Sequence, residues 1–459
     1  MITAAVAVSI PIYKTYTDDS GTLRSATADP TLDTNNKFFD PGLGNNDQSC
    51  ATCHQPFDGF TISLDTITAA FQATGGTDPL FRFNDTANDP NAAINFTNSV
   101  ADKAQAYSLF RELGVVRIGK TVPATRDFNI EQQNSPTFGD LPKTDDPQAP
   151  PGGTTLSCFR RPLVNTNVHL DSSVLWDGRV ATPTAANMRA QVGGAVRTLL
   201  KGPTPSDADA DNVAAFMLGV FTDQVADSAA GALDANGATG GVDNLLAQAQ
   251  ACTAPNCPQP GGNTVFTIYD AWSSLSPTNP KRAAQLAIAR GQAVFDSHGC
   301  KGCHNASNLG NNASPTFFAR IGTDSLVIID HLIAGDGVVP GSDPHPHPEL
   351  QALRDRVAKL PVYCLRPTSD TIPFSSVPCG GDATDVKTTD PGRALVTGAI
   401  ADVGKFKPPI LRNLPVRSPY FHNGAAASIE ELIDFYNARF NFGLNAQQKA
   451  DLAVFLESL

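Results

Sequence analysis

Two copies of one five-residue pattern constrain this chain more than any other feature: Cys50-Ala-Thr-Cys53-His54 and Cys300-Lys-Gly-Cys303-His304. Cysteines three positions apart stand on one face of a helical turn, and a histidine follows each pair directly. This spacing suits two thioether bonds to one haem, with the histidine held under the iron as its proximal ligand. A pair of zinc knuckles would not require a histidine in both copies. A dithiol redox pair would need a βαβ context that the sequence lacks. The chain is therefore expected to carry two covalently bound haem c groups, one on Cys50, Cys53 and His54 and one on Cys300, Cys303 and His304. Such attachment requires export, so a periplasmic or otherwise exported location is expected.

The remaining five cysteines agree with export. Cys252 and Cys257 share a Pro-rich turn, and Cys364 and Cys379 bracket a polar loop, so two local disulfides are expected. Cys158 is left as a buried, free, apolar residue. The opening MITAAVAVSIPIYK has no basic residue before its apolar stretch and no clear cleavage site, so no secretory signal is evident. No run approaches eighteen apolar residues, so no membrane span is expected. The balance of 33 basic against 45 acidic residues argues against a nucleic-acid surface and suggests neutral or basic partners.

Helical periodicity is expected at 102–114, 211–223, 281–296, 349–360, 428–438 and 445–458. Strand-like alternation is scarce, and 37 Gly with 35 Pro predict long irregular loops between the helices. The fold class is mainly α. A boundary is expected near 275–281, after an Ala/Gly-rich and then Pro/Cys-rich excursion at 228–263. It divides the chain into 1–280 and 281–459, each holding one Cys-x-x-Cys-His motif.

Beyond these motifs, Leu175-Trp176-Asp177-Gly178-Arg179 follows Arg160-Arg161-Pro162 and Asn165 in the first half. The second half carries Phe406-Lys-Pro-Pro-Ile-Leu-Arg-Asn-Leu-Pro-Val-Arg-Ser-Pro-Tyr-Phe-His-Asn-Gly424. With both haem motifs in order, the chain resembles the bacterial diheme cytochrome c peroxidase/MauG family over about 35–459. The resemblance implies two cytochrome-c-like haem domains, an N-terminal haem reacting with hydrogen peroxide and a C-terminal haem relaying electrons. It places Trp176 between the haems as a relay. It implies an interdomain calcium on Asn165 and the backbone carbonyls of Arg417 and Pro419, with Asn167 an alternative to Asn165. Peroxidase-type members ligate the second haem with a Met fourteen residues after the PYFH histidine. Counting from His422 reaches Tyr436, and no Met follows Met217. The resemblance therefore points to the MauG-like branch, with Tyr436 as a ligand of the second haem, against the alternative of a Tyr packed in the core.

The chain departs from the family where peroxide is cleaved. Family members place Glu ten residues after a Gln, whereas Gln191 is followed at that spacing by Lys201, and no acidic residue lies between Asp177 and Asp207. The acid is displaced, supplied by another segment, or absent. His169 is a candidate base or sixth ligand, or else a satisfied loop histidine. His345 and His347 read as solvated, His298 as a neighbour of the second haem, and His422 as a supporting residue. The leading reading is a diheme oxidoreductase that draws electrons from a donor protein or oxidises a partner protein. An electron-transfer cytochrome without peroxide chemistry and a haem oxygenase acting on an organic substrate are the alternatives.

Overall fold

The computed structural model describes residues 14–29, 31–32, 35–82, 85–89, 92, 94–135, 155–250, 267–313, 315–368 and 385–459. The expected Cys252–Cys257 pair lies outside them. Cys364 is disulfide-bonded, and its expected partner Cys379 also lies outside them. Cys158 is a free, buried thiol, as expected. Among the described residues no helix is long and apolar enough to cross a membrane.

Helix outweighs strand by 41% to 15%, so the mainly helical expectation holds in that coarse form. The helix around the second motif illustrates why. Asn279 caps Pro280–Ser297 by accepting from the Arg282 N–H, and Pro280 occupies the first turn, where its missing N–H costs nothing. Ile288, Val294 and Phe295 then face the core. Helix Ala446–Glu457 crosses it at Gly291, where a Cβ would run into the Asp451 carbonyl and lie 2.6 Å from the Phe455 Cβ. Gly291 thus sets how closely the two helices approach, beside the turn that carries Cys300.

Strands contribute more than their scarce sequence signal suggests. Gly21–Thr27 and Val220–Asp227 pair antiparallel at the centre of a four-stranded sheet. The expected helix at 211–223 is instead Asp207–Gly219, and its apolar continuation enters that sheet. A three-stranded sheet joins Phe128–Asn134 to Val362–Pro367, with Ile130 opposite Leu365, and so links chain from both sides of residue 280. Leu233, Tyr269 and Trp272 are buried with Phe295 and Phe455, so these three residues pack into the core around the second motif. Strands Val116–Thr121 and Thr155–Arg160 pair with Ile118 opposite Cys158, and they form a wall of the first cavity.

Candidate functional site: two Cys-x-x-Cys-His cavities

Each motif winds into a single turn. At the first, the Ser49 N–H donates to the Thr52 hydroxyl at 2.9 Å, and the His54 N–H closes on the Cys50 carbonyl at 3.1 Å. At the second, the N–H groups of Cys303 and His304 both close on the Cys300 carbonyl, at 3.1 and 3.0 Å. Each turn presents two thiols and an imidazole to a largely apolar cavity. The first, about 440 Å³, is lined by Cys50, Cys53 and His54. The second, about 370 Å³, is lined by Cys300, Cys303 and His304. Both volumes fall within the range of cofactor sites.

The imidazoles are prepared as ligands. His54 Nδ1–H donates to the Phe60 carbonyl at 3.0 Å, and His304 Nδ1–H to the Leu309 carbonyl at 2.8 Å. Each bond fixes the tautomer and leaves Nε2 as the lone-pair nitrogen. Burial pulls both imidazoles down to about 4, so they stay neutral at neutral pH. Thiol pairs on one turn, apolar walls and oriented neutral histidines fit a covalently bound haem in each cavity. Lys120, Arg179 and Arg417 also line the first cavity.

Between the cavities lies the Leu-Trp-Asp-Gly-Arg turn, bent by positive φ at Leu175 and Gly178. Trp176 lines both cavities. Its Nε1–H donates to the Arg161 carbonyl at 2.8 Å, its own carbonyl accepts from the Lys407 N–H at 2.8 Å, and its ring lies 6.2 Å from that of His422. Below it, Asp177 receives Arg160 at 2.7 Å, Arg179 at 2.9 Å and Lys120 at 3.3 Å. Burial alone would raise the Asp177 carboxyl, but Arg160, Arg179 and Lys120 outweigh it and hold the group well below the usual carboxylate range. Arg160 also grips Asp390 with two hydrogen bonds, at 2.6 and 2.9 Å. The first-half signatures thus share one buried ion network with Lys120 and Asp390, and the second-half signature meets it through Phe406, whose ring lies 5.8 Å from the Arg160 guanidinium and stacks 3.9 Å from His422.

Tyr436 lines the second cavity, and its ring packs 5.8 Å from Phe440. Burial, with Cys303 and Cys300 nearby, pushes its phenol up, so it keeps its proton unless a cation compensates. His298 and His422 line the same cavity, and the buried Nε2 of His422 has no hydrogen-bond partner. Gln191, Asn165 and Met217 line the first cavity, whereas His169 and Lys201 line neither. Met188 is core. His345 is exposed against Asp343, but His347 turns inward between Asp343 and Glu349, contrary to the expectation of a solvated residue.

One carbonyl of the expected calcium site already has a donor within the protein. The buried Arg161 guanidinium donates to the Arg417 carbonyl at 3.0 Å, and also to the carbonyls of Ser418, Gly114 and Ile62. A cation on the Arg417 and Pro419 carbonyls beside Asn165 would meet this fixed positive charge in a low-dielectric interior. Asn167, the alternative to Asn165, exchanges two hydrogen bonds between its amide and the Thr222 backbone, at 2.8 and 2.9 Å. Two residues that sequence reasoning passed over also belong to the region. They are Arg161 in this role and Asp85, a buried carboxyl lining the first cavity. Neither sits in a pattern that marks it, and only the fold brings them there.

No family model matches the chain. Among curated proteins it is 40% identical over 81 residues to the cytochrome-c peroxidase IdrP1 of Pseudomonas sp. (strain SCT), covering 15% of this chain and 21% of that protein. It is 27% identical over 203 residues to the cytochrome-c peroxidase IdrP1 of Denitromonas iodatirespirans, covering 42% of this chain and 44% of that protein. The chain thus spans less than half the length of these relatives. Among solved structures it aligns with a MauG-like protein associated with microbial copper homeostasis at TM-score 0.43 and 14% identity, over 100% of this chain and 95% of the other. In sequence the chain is a relative of cytochrome-c peroxidases.

Proposed function

We propose that this chain is an exported diheme c-type peroxidase of the MauG-like branch. Hydrogen peroxide is reduced in the first cavity. Oxidising equivalents pass through Trp176 to the second cavity and on to an external electron-donor protein. The observation that carries this reading is that one tryptophan lines two cavities, each built on a Cys-x-x-Cys-His turn. When bound, haem c supplies one-electron redox chemistry and a metal to which peroxide can bind.

The chain's own groups supply the rest. The cysteine pairs anchor, and the Phe60 and Leu309 carbonyls aim His54 and His304. The apolar lining keeps water out, which strengthens every electrostatic contact inside. Trp176 is clamped at both its indole N–H and its carbonyl, which favours a fixed path between the cavities over a mobile one. Tyr436 lines the second cavity and would hold the iron of a haem there through oxygen, which would lower its potential relative to methionine.

A second reading, a pure electron carrier, has one observation in its favour: Lys201 occupies the position of the family's acid. Mixing the haem-loaded protein with hydrogen peroxide and a pre-reduced small cytochrome separates the two. The peroxidase reading expects peroxide-dependent donor oxidation that slows in Trp176→Phe. Donor oxidation no faster with the protein than without it would leave the carrier.

A further inference from the structure

We propose that Asp85 is the acid–base residue of the first cavity, taking the place of the glutamate that Lys201 replaces; this rests on the peroxidase reading above. Two carboxyl groups line that cavity among the described residues, Asp85 and Asp171. Asp171 is committed: its oxygens receive the Lys407 ammonium and, at 2.9 Å, the Asn308 amide. Asp85 is 3% exposed, and its Oδ1 has no hydrogen-bond partner. A buried carboxyl oxygen without a donor is costly, and such exceptions concentrate where a group has work to do. The other candidates fall away. His169 and Lys201 do not line the cavity, and the Gln191 amide does not ionise near neutral pH.

The surroundings suit proton exchange. The Arg117 N–H donates to the Asp85 carbonyl at 2.6 Å and Arg117 Nε to the Ala87 carbonyl at 3.2 Å, which holds the turn in place. Arg117, Lys201 and Arg82 are the cations that act on the carboxyl, Tyr107 is the other titratable group near it, and the haem-attaching Cys53 lies close by. Burial raises the carboxyl and outweighs the opposite pull of Arg117, Lys201 and Arg82, leaving it at about 7. Lys201 thus changes role. Where the family has the acid, this chain has a cation that helps keep an acid from elsewhere able to ionise.

In the step itself, the Asp85 carboxylate takes one proton from hydrogen peroxide and returns it to the oxygen that leaves as water when the O–O bond breaks. Two protons from solvent complete the other water. Two electrons come ultimately from the one-electron donor protein, so that H2O2 + 2 H+ + 2 e− gives 2 H2O.

The test compares haem-loaded wild type, Asp85→Asn and Asp85→Glu, with covalent haem content confirming that each is folded. Peroxide consumption is expected to fall by about 10²- to 10⁴-fold in Asp85→Asn, and Asp85→Glu should restore most of it. The wild-type rate should rise with pH through an apparent pKa near 7, and this rise should be absent in the Asn variant. Difference infrared titration gives a readout independent of turnover, in which a carboxyl band titrating near neutral pH should disappear in Asp85→Asn. Should that variant fail to fold, a shifted pH profile in Asp85→Glu carries the test, and an unshifted one overturns the proposal. An active wild type with an equally active Asp85→Asn overturns the Asp85 assignment alone. A wild type inert to peroxide overturns the peroxidase reading and this inference with it.

Discussion

Replacing Asp177 by Asn should destabilise the protein by an amount that the network around it defines. The side chain is 0% exposed and receives Arg160, Arg179 and Lys120, whose side chains are 1%, 27% and 11% exposed. Asn preserves shape and one acceptor oxygen but removes the charge. Breaking a buried pair from one side costs about 3–5 kcal/mol, because the partner's charge stays buried. Arg160 keeps its two bonds to Asp390, and Arg179 is partly solvated, so the lower end applies, roughly 3 kcal/mol. Urea unfolding at neutral pH should show this as a lower midpoint at unchanged slope. The pH dependence has a definite sign. The folded Asp177 carboxyl is held below its unfolded value, so its stabilisation is complete above about pH 4 and fades as pH falls further. The gap between wild type and variant should therefore narrow in acid. A variant within about 0.5 kcal/mol of wild type at neutral pH would refute the network's structural role.

Other outcomes follow from the same geometry. Tyr436→Met should raise the midpoint potential of the second haem, by on the order of 100 mV, while Tyr436→Phe should make that haem able to bind added ligands; unchanged spectra and potentials in both variants would mean that Tyr436 only packs. Chelator should leave the unfolding midpoint and peroxide reaction untouched, since Arg161 already holds the Arg417 carbonyl; stoichiometric calcium in washed protein would contradict that. His54→Gly should remove one axial ligand while covalent haem persists on Cys300 and Cys303. Complete loss of covalent haem from folded variant protein would deny independent sites.

The cavities were legible because attachment chemistry imposes a fixed spacing, and Pro280–Ser297, Ile429–Phe440 and Ala446–Glu457 because caps and apolar spacing agree along each helix. Helix Leu326–Ala334 went unread for the opposite reason: LVIIDHLIA is apolar nearly all round, and only the Ser325 cap and Gly335 stop marked it. In Ala185–Thr198, Gly193 and Gly194 mask a thin stripe of Met188, Val192 and Val196. The strand Val220–Asp227 looked like helix because its pairing with Gly21–Thr27 is a tertiary choice that local periodicity does not encode. The site's remaining parts are tertiary as well. Nothing in the residues around Asp85 or Arg161 announces a cavity carboxyl or a guanidinium caught among four carbonyls.

The central claim is that two haem sites in one chain act together on peroxide. Reducing hydrogen peroxide to water takes two electrons, one from each ferrous haem. The most direct measurement is an anaerobic titration of the fully reduced, haem-loaded protein with hydrogen peroxide, followed by absorbance. The account predicts that one equivalent oxidises both haems together, with the second lagging in Trp176→Phe. Oxidation confined to one haem after one equivalent, or an unchanged reduced spectrum, would contradict it.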